Sequence, residues 1–286
     1  MSGRHIPEVP VGPGSQPPEE DGAELDYLDL PRAFDAAPRP EPPAPEALRE
    51  GARAMEVLGW LEGALAGYRP DGPPLVADIS GLGADDRDLI GQVLGEGEVS
   101  VYCAGDPETH AREAVTAGVW RVQVRSRDGS EVREWIEVGP VPAVARRAPL
   151  ADQPVPALAT AEPPTGVMSA PPLLVEIQDR LGRYRPGDPA HVINLTLLPV
   201  FAEDRRLLEQ VLGRGPVTIL SRGYGECRIT SAAVRGLWWV SHYNAKDRLV
   251  LDTLEVVDVP RAACAEREDI ADSARRLAEI LEPYRA

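Results

Sequence analysis

Apolar positions recur at helical spacing between Ala47 and Tyr68, at Ala54, Val57, Leu58, Leu61 and Leu65, and Gly67 and Pro70 end the run. Leu75 to Ile79 is a short apolar stretch that predicts a strand. Residues 84 to 94 predict a second helix, with Leu89, Ile90, Val93 and Leu94 on one face, acidic residues at its start and Gly95 at its end. Strand-like runs come next at Val99 to Cys103, His110 to Val115, Val119 to Arg125 and Val132 to Val138, the last two joined by a hairpin turn at Asp128-Gly129. The pattern predicts helix, strand, helix and four strands. Residues 139 to 172 then contain nine prolines and no sustained period, which predicts a linker.

The chain beyond the linker repeats the chain before it. A shift of 118 residues carries Asp86-Arg-x-Leu-x-x-Gln-Val-Leu-Gly-x-Gly97 onto Asp204-Arg-x-Leu-x-x-Gln-Val-Leu-Gly-x-Gly215 without a gap. The same shift carries Gly105 onto Gly223, Glu108 onto Glu226, Gly118 onto Gly236 and Trp120 onto Trp238. Tyr68-Arg-Pro70 matches Tyr184-Arg-Pro186 at a shift of 116, so the first loop of the second copy holds a two-residue insertion. The expected fold class is α+β, as two tandem homologous domains arising from an internal duplication. The expected boundaries are a tail over 1–46, a first repeat over 47–140, a linker over 141–171 and a second repeat over 172–286. The second repeat includes a last helix, from Ala263 to Tyr284.

The densest group of unusual residues lies between Ser221 and Asn244. Two glycines flank an aromatic at Gly223-Tyr224-Gly225. Cys227, Ile229 and Ser231 then alternate with Arg228 and Thr230, and after Gly236 Leu237, Trp239 and Ser241 alternate with Trp238, Val240 and His242. A strand pair of this kind places Tyr224, Cys227, Arg228, Trp238 and Trp239 in one small region. The second copy alone has Tyr224, Cys227, Arg228, Trp239, Tyr243 and Asn244, so a localised function belongs there. The plainer alternative is a sheet whose tryptophans and cysteine are core.

With 46 acidic against 30 basic residues the formal net charge is −16, which excludes a nucleic-acid or anionic-membrane surface as the main partner. No apolar run reaches the length of a membrane span, and the first thirty residues lack the basic start and apolar core of a signal peptide, so the expected compartment is the cytoplasm. Three cysteines without short spacing, Cys103, Cys227 and Cys264, fit reduced thiols. Residues 1 to 46 hold eleven prolines and ten acids, a composition that predicts disorder, interrupted by an apolar island at Leu25, Tyr27, Leu28, Leu30 and Phe34. Among possible chemistries, Cys227 and His242 are a pair able to meet across neighbouring strands, and two ligands seldom hold a metal. Arg222 and Arg228 beside Cys227 favour a lowered thiol pKa, and Glu226 opposes it. No phosphate loop, nucleophile motif or cofactor signature is present, so the residues predict a binding protein without metal or cofactor and not an enzyme.

Arg222-Gly-Tyr-Gly-Glu-Cys-Arg-Ile229, with Trp238-Trp239 and Asn244 after it, resembles the C-terminal signature of the HupH/HyaF family of hydrogenase expression/formation proteins. Gly12-Pro-Gly-Ser-Gln-Pro17, followed by Leu25-Asp-Tyr-Leu-Asp-Leu-Pro31, is similar to a second family motif. Glu226 stands where that motif often has Asn. The resemblance implies a dedicated assembly chaperone in the maturation of an uptake [NiFe] hydrogenase. Its implied partner is an immature hydrogenase subunit before export, the iron–sulfur small subunit first and the nickel-bearing large subunit second, together with other maturation factors. It implies partner-binding residues at Arg222, Tyr224, Glu226, Cys227, Arg228, Trp239 and Asn244, and at Gly12, Pro13, Gly14, Ser15, Gln16 and Pro17. The competing expectation is a thiol or metal-transfer factor acting through Cys227.

Overall fold

The computed structural model describes residues 51–70, 72–128, 130–146, 164–222 and 225–282. The Gly12–Pro17 motif, the apolar island, Gly223 and Tyr224 lie outside them. In the first half α1 (Ala52–Ala66) precedes β1 (Leu75–Asp78) and α2 (Ala84–Leu94). Then come β2 (Val99–Cys103), β3 (Glu108–Glu113), β4 (Val119–Arg125), β5 (Glu131–Val138) and the short α3 (Ala143–Arg146). The second half repeats the order with α4 (Ala170–Arg183), β6 (His191–Asn194), a 3-10 turn (Leu195–Leu197), α5 (Ala202–Leu212), β7 (Val217–Ser221), β8 (Glu226–Ser231), β9 (Leu237–Tyr243) and β10 (Leu249–Val256). A last helix, α6, spans Arg267–Leu281.

Among the described residues the strands form one ten-stranded sheet in the order β1-β5-β4-β3-β2-β7-β8-β9-β10-β6. The halves meet where β2 and β7 pair antiparallel with Val101 opposite Ile219, and the pair is extended by Ala104 N–H donating to the Pro216 carbonyl and Arg222 N–H to that of Glu98. Each of these contacts maps onto another of the set, or onto itself, under the shift of 118. The expectation of two tandem bodies on a linker therefore gives way to a shared sheet. Val101, Ile219 and Leu220 are buried at the seam, so parting the halves would expose both apolar side chains and unpaired backbone.

Matching turns have matching geometry. Gly95 and Gly213 share φ 61°, and Gly118 and Gly236 share φ 76°, a region that favours glycine. Trp120 and Trp238 are both buried, and each indole N–H donates to backbone just beyond the last strand of its half: Trp120 to the Gly139 carbonyl at 2.9 Å, Trp238 to those of Val257 and Asp258 at 3.1 Å.

Helices cover one face of the sheet. Leu58, Leu61, Ile90 and Val119 pack in the first half, and Leu174, Ile177, Leu208 and Trp239 in the second. On the other face Val101, Trp120, Ile219, Ile229 and Trp238 lie beneath Val141, Ala145, Val259 and Ala263. One helix departs from expectation. α6 belongs to the second repeat by sequence, yet Ile270, Leu277 and Leu281 are buried in the first half's core, and Ser273 Oγ donates to the Ala117 carbonyl. An amphipathic stripe shows that a helix must be covered, not by which body.

Candidate functional site

In the pairing of β8 with β9, Cys227 stands opposite His242, Arg228 opposite Ser241 and Thr230 opposite Trp239. Side chains alternate between faces, so Cys227, Trp238 and His242 share one face while Arg228, Trp239 and Tyr243 share the other. The single patch expected from Tyr224, Cys227, Arg228 and Trp239 is thereby divided: Cys227 and Trp239 are both buried, in different cores on opposite sides of the sheet. Cys227 Sγ lies 3.8 Å from His242 Nε2, as the strand pairing predicts. Burial, and then the charge of Glu255, push the thiol up to about 12. The flanking Arg228 is directed to the other face, so the lowered thiol pKa that a nucleophile or metal carrier needs is replaced by its opposite.

Arg228 forms a compact cluster. Its guanidinium pairs with the Glu226 carboxylate, lies 4.6 Å from the Tyr243 ring centroid and stands 3.9 Å from Asp247. Asn244 is exposed and its Oδ1 accepts from the backbone N–H of Lys246 and Arg248, closing the β9–β10 turn. Arg222 is exposed at the end of β7. Gly225 is packed so closely that a Cβ there would lie 2.5 Å from the Tyr243 carbonyl oxygen, which fixes glycine beside the cluster.

Sequence reasoning missed the charged groups next to this cluster. Asp252 is buried on β10 and pairs with Arg205 of α5, while Ser241 Oγ donates to it at 2.7 Å. Its backbone N–H donates to Thr196 Oγ1 at 2.8 Å, and the Arg205 guanidinium lies 5.7 Å from the Trp239 ring. The first half has the counterpart: buried Glu134 pairs with Arg87 and Arg121 and accepts from Gln123 Nε2, while Ser80 Oγ bonds its backbone. Shifted by 118, Arg87 falls on Arg205 and Glu134 on Asp252, so the signal was present in the repeat. A buried carboxylate of this kind needs its cation to remain folded.

A third feature is built on Asp204. Its carboxylate accepts backbone N–H groups from Met168, Ser169, Ala170 and Phe201, at 2.7 to 3.2 Å. Burial alone raises its pKa, and those four donors together outweigh burial and hold it below the usual value. Ser169 Oγ donates to the Pro199 carbonyl. The related Asp86 accepts the N–H of Ala54 at 3.2 Å. The loop so pinned carries the two-residue insertion, and where the first half has Gly81-Leu82-Gly83 it presents Leu197, Leu198 and Phe201 to solvent beside exposed Met168.

Among the described residues no group of three or more His, Cys, Asp and Glu side chains is placed to hold a metal ion, and no helix is long and apolar enough to cross a membrane.

Residues 52–152 and 167–284 match the C-terminal conserved region of the HupH hydrogenase expression protein, so the chain belongs to the family of hydrogenase expression/formation proteins. It is 45% identical over 273 residues to the hydrogenase expression/formation protein HupQ of Azotobacter chroococcum, covering 95% of each chain. Identity to the HupH protein of Rhodobacter capsulatus is 43%, covering 100% of both chains. The hydrogenase-1 operon protein HyaF of Escherichia coli is 33% identical, with 94% of each chain covered. Among solved structures, the hydrogenase expression protein HupH of Thiobacillus denitrificans matches 41% of this chain and 96% of its own at 32% identity, with a TM-score of 0.37.

Proposed function

We propose that this protein is a dedicated assembly chaperone that binds an immature [NiFe] hydrogenase subunit, the iron–sulfur small subunit, in the cytoplasm before export. The observation that carries this reading is the Arg228 cluster in the segment that holds the family signature. An arginine stacked on a tyrosine, fixed by Glu226 and bordered by exposed Arg222 and Asn244, is the arrangement of a protein-binding anchor. Partner contact is assigned to Arg222, Tyr224, Glu226, Arg228 and Asn244, with Gly12–Pro17 as a second contact, while Cys227 and Trp239 support them from within. The raised Cys227 thiol supports binding over thiol or metal-transfer chemistry. The repeated element order, the paired glycine geometry and the paired carboxylate–arginine contacts support descent of both halves from one duplicated unit.

The test is capture of tagged full-length protein from cells that express the hydrogenase operon, with the recovered subunit identified by mass spectrometry. Recovery of the small-subunit precursor, reduced by Arg228→Ala, is expected. Recovery of the large subunit alone would replace the assigned partner, and recovery of no hydrogenase subunit would refute the chaperone reading.

A further inference from the structure

We propose that the apolar surface formed by Met168, Leu197, Leu198 and Phe201 receives an apolar segment of the immature subunit that is flanked by basic side chains. This inference rests on the chaperone reading above and gives it a contact surface of its own. Leu197 is 80% exposed, Met168 75% and Phe201 58%. Isolated exposed apolar side chains are ordinary, whereas a group of them on adjoining turns marks a binding surface.

Three observations support a binding role. The surface is held in place, because Asp204 takes four backbone N–H groups from the two segments that bear these residues and Ser169 ties one segment to the other. A surface fixed in advance loses little conformational entropy when a partner arrives. The surface is also special to one half, since the insertion that creates it falls where the first half has Gly81-Leu82-Gly83. Finally, it is joined to the family signature: Arg228 stacks on Tyr243, the neighbouring Ser241 binds Asp252, and Asp252 holds Arg205, whose backbone N–H donates to the Phe201 carbonyl in the first turn of α5.

Charge selects the occupant. The chain carries −16, so two copies meeting at this surface repel one another. The chain's own apolar island carries Glu24, Asp26, Asp29 and Asp35 against Arg32 and has the same sign as the body it would cover. A partner segment with basic flanks is attracted by the acidic body while its apolar part covers the exposed side chains.

The experiment compares full-length wild type, the double variant Leu197→Ser with Phe201→Ser, and a control altered at two exposed apolar positions of the first half, Val76→Ser with Val115→Ser. All three are co-expressed with the hydrogenase operon. Each is also titrated with a fluorescent leucine–alanine peptide carrying lysines at both ends and with its glutamine-flanked analogue. The double variant is expected to capture at least about tenfold less of the identified subunit and to lose peptide binding, with its melting temperature within about 2 °C of wild type because the altered residues are exposed. The control is expected to match wild type in both readouts. The lysine-flanked peptide is expected to bind wild type more tightly than the analogue, by a margin that shrinks with salt. Equal capture by wild type and double variant overturns this surface and leaves the chaperone reading standing. Capture of no hydrogenase subunit by wild type overturns both. A wild-type dimer that the double variant abolishes, or a tenfold gain in peptide binding on deletion of residues 1–46, assigns the surface to a second copy or to the chain's own tail and overturns the proposal.

Discussion

Cys227 and Arg228 are adjacent in sequence and belong to different environments. With its thiol pushed up to about 12, Cys227 in the native chain has about a thousandfold less thiolate near neutral pH than an ordinary cysteine. A charged disulfide reagent at pH 8 should therefore leave Cys227 unmodified in native protein and label it promptly in denaturant. Prompt labelling of native Cys227 would show that it is exposed or activated. Arg228→Ala removes a charged hydrogen bond and a ring contact from a side chain that is only 11% exposed, so it should cost about 1–2 kcal/mol in a urea titration. Arg222→Ala, at an exposed position, should stay within about 0.5 kcal/mol. A cost for Arg228→Ala as small as that of Arg222→Ala would mean the cluster does not form in solution. The alternation Cys227, Ile229, Ser231 was legible in the sequence, and taken strictly it already separated Cys227 from Arg228. The contact of Arg205 with Asp252 was legible only as a correspondence: the shift of 118 carries Arg87 and Glu134 onto this pair, but with 47 positions between the two residues and neither unusual for an exposed helix or a strand, the repeat alone does not say that they touch.

At the level of elements, the junction of α6 with the β3–β4 turn contains a buried acid. Glu113 accepts the Gly118 N–H at 2.9 Å, while Ile270 lies against Gly118 from the helix. Burial raises the Glu113 pKa to about 7, with smaller contributions from Asp269 at the start of α6 and from Glu98. The folded value exceeds the ordinary 4.5, so folding takes up a proton between these two pH values. The stabilising contribution is complete below about pH 4.5 and is lost as pH rises through about 7. Glu113→Gln keeps an acceptor for Gly118 and cannot ionise, so it should raise stability at pH 8 by up to about 3 kcal/mol and flatten the decline between pH 4.5 and 7. Denaturation curves at several pH values check this, and parallel profiles for variant and wild type would contradict it. The apolar periods of α1 and α2 located those helices closely, and the shift of 118 carried α2 onto α5. They did not disclose that α6 crosses to the first half, because its stripe of Ile270, Leu277 and Leu281 fits either helical layer.

For the whole molecule, the shift of 118 conveyed the repeated order of helices and strands but not the seam between β2 and β7. A comparison of two copies records what they share, whereas contacts between them depend on which edges are left open. Neither half is expected to fold alone: residues 51–146 and 164–282, made as separate chains, should each self-associate or remain unfolded, because Val101, Ile219 and the backbone groups at the seam lose their cover. Mixed during refolding, the two fragments should form a one-to-one complex by size-exclusion chromatography with light scattering. A folded, monomeric fragment would show that the seam is dispensable.

The seam also sets a schedule for synthesis. Val101 leaves the ribosome 118 residues before its partner Ile219, an interval of about 6–24 s at typical elongation rates of about 5–20 residues per second. Throughout that interval the Val99–Cys103 edge is open to any nascent strand nearby. The first half then waits longer still, since the helix that completes its core is translated after every strand of the second half. A ribosome stalled between β5 and β7 would thus display a finished strand order with one raw edge and an uncovered core, so translation speed in the second half governs how long the first half stays vulnerable to wrong pairing.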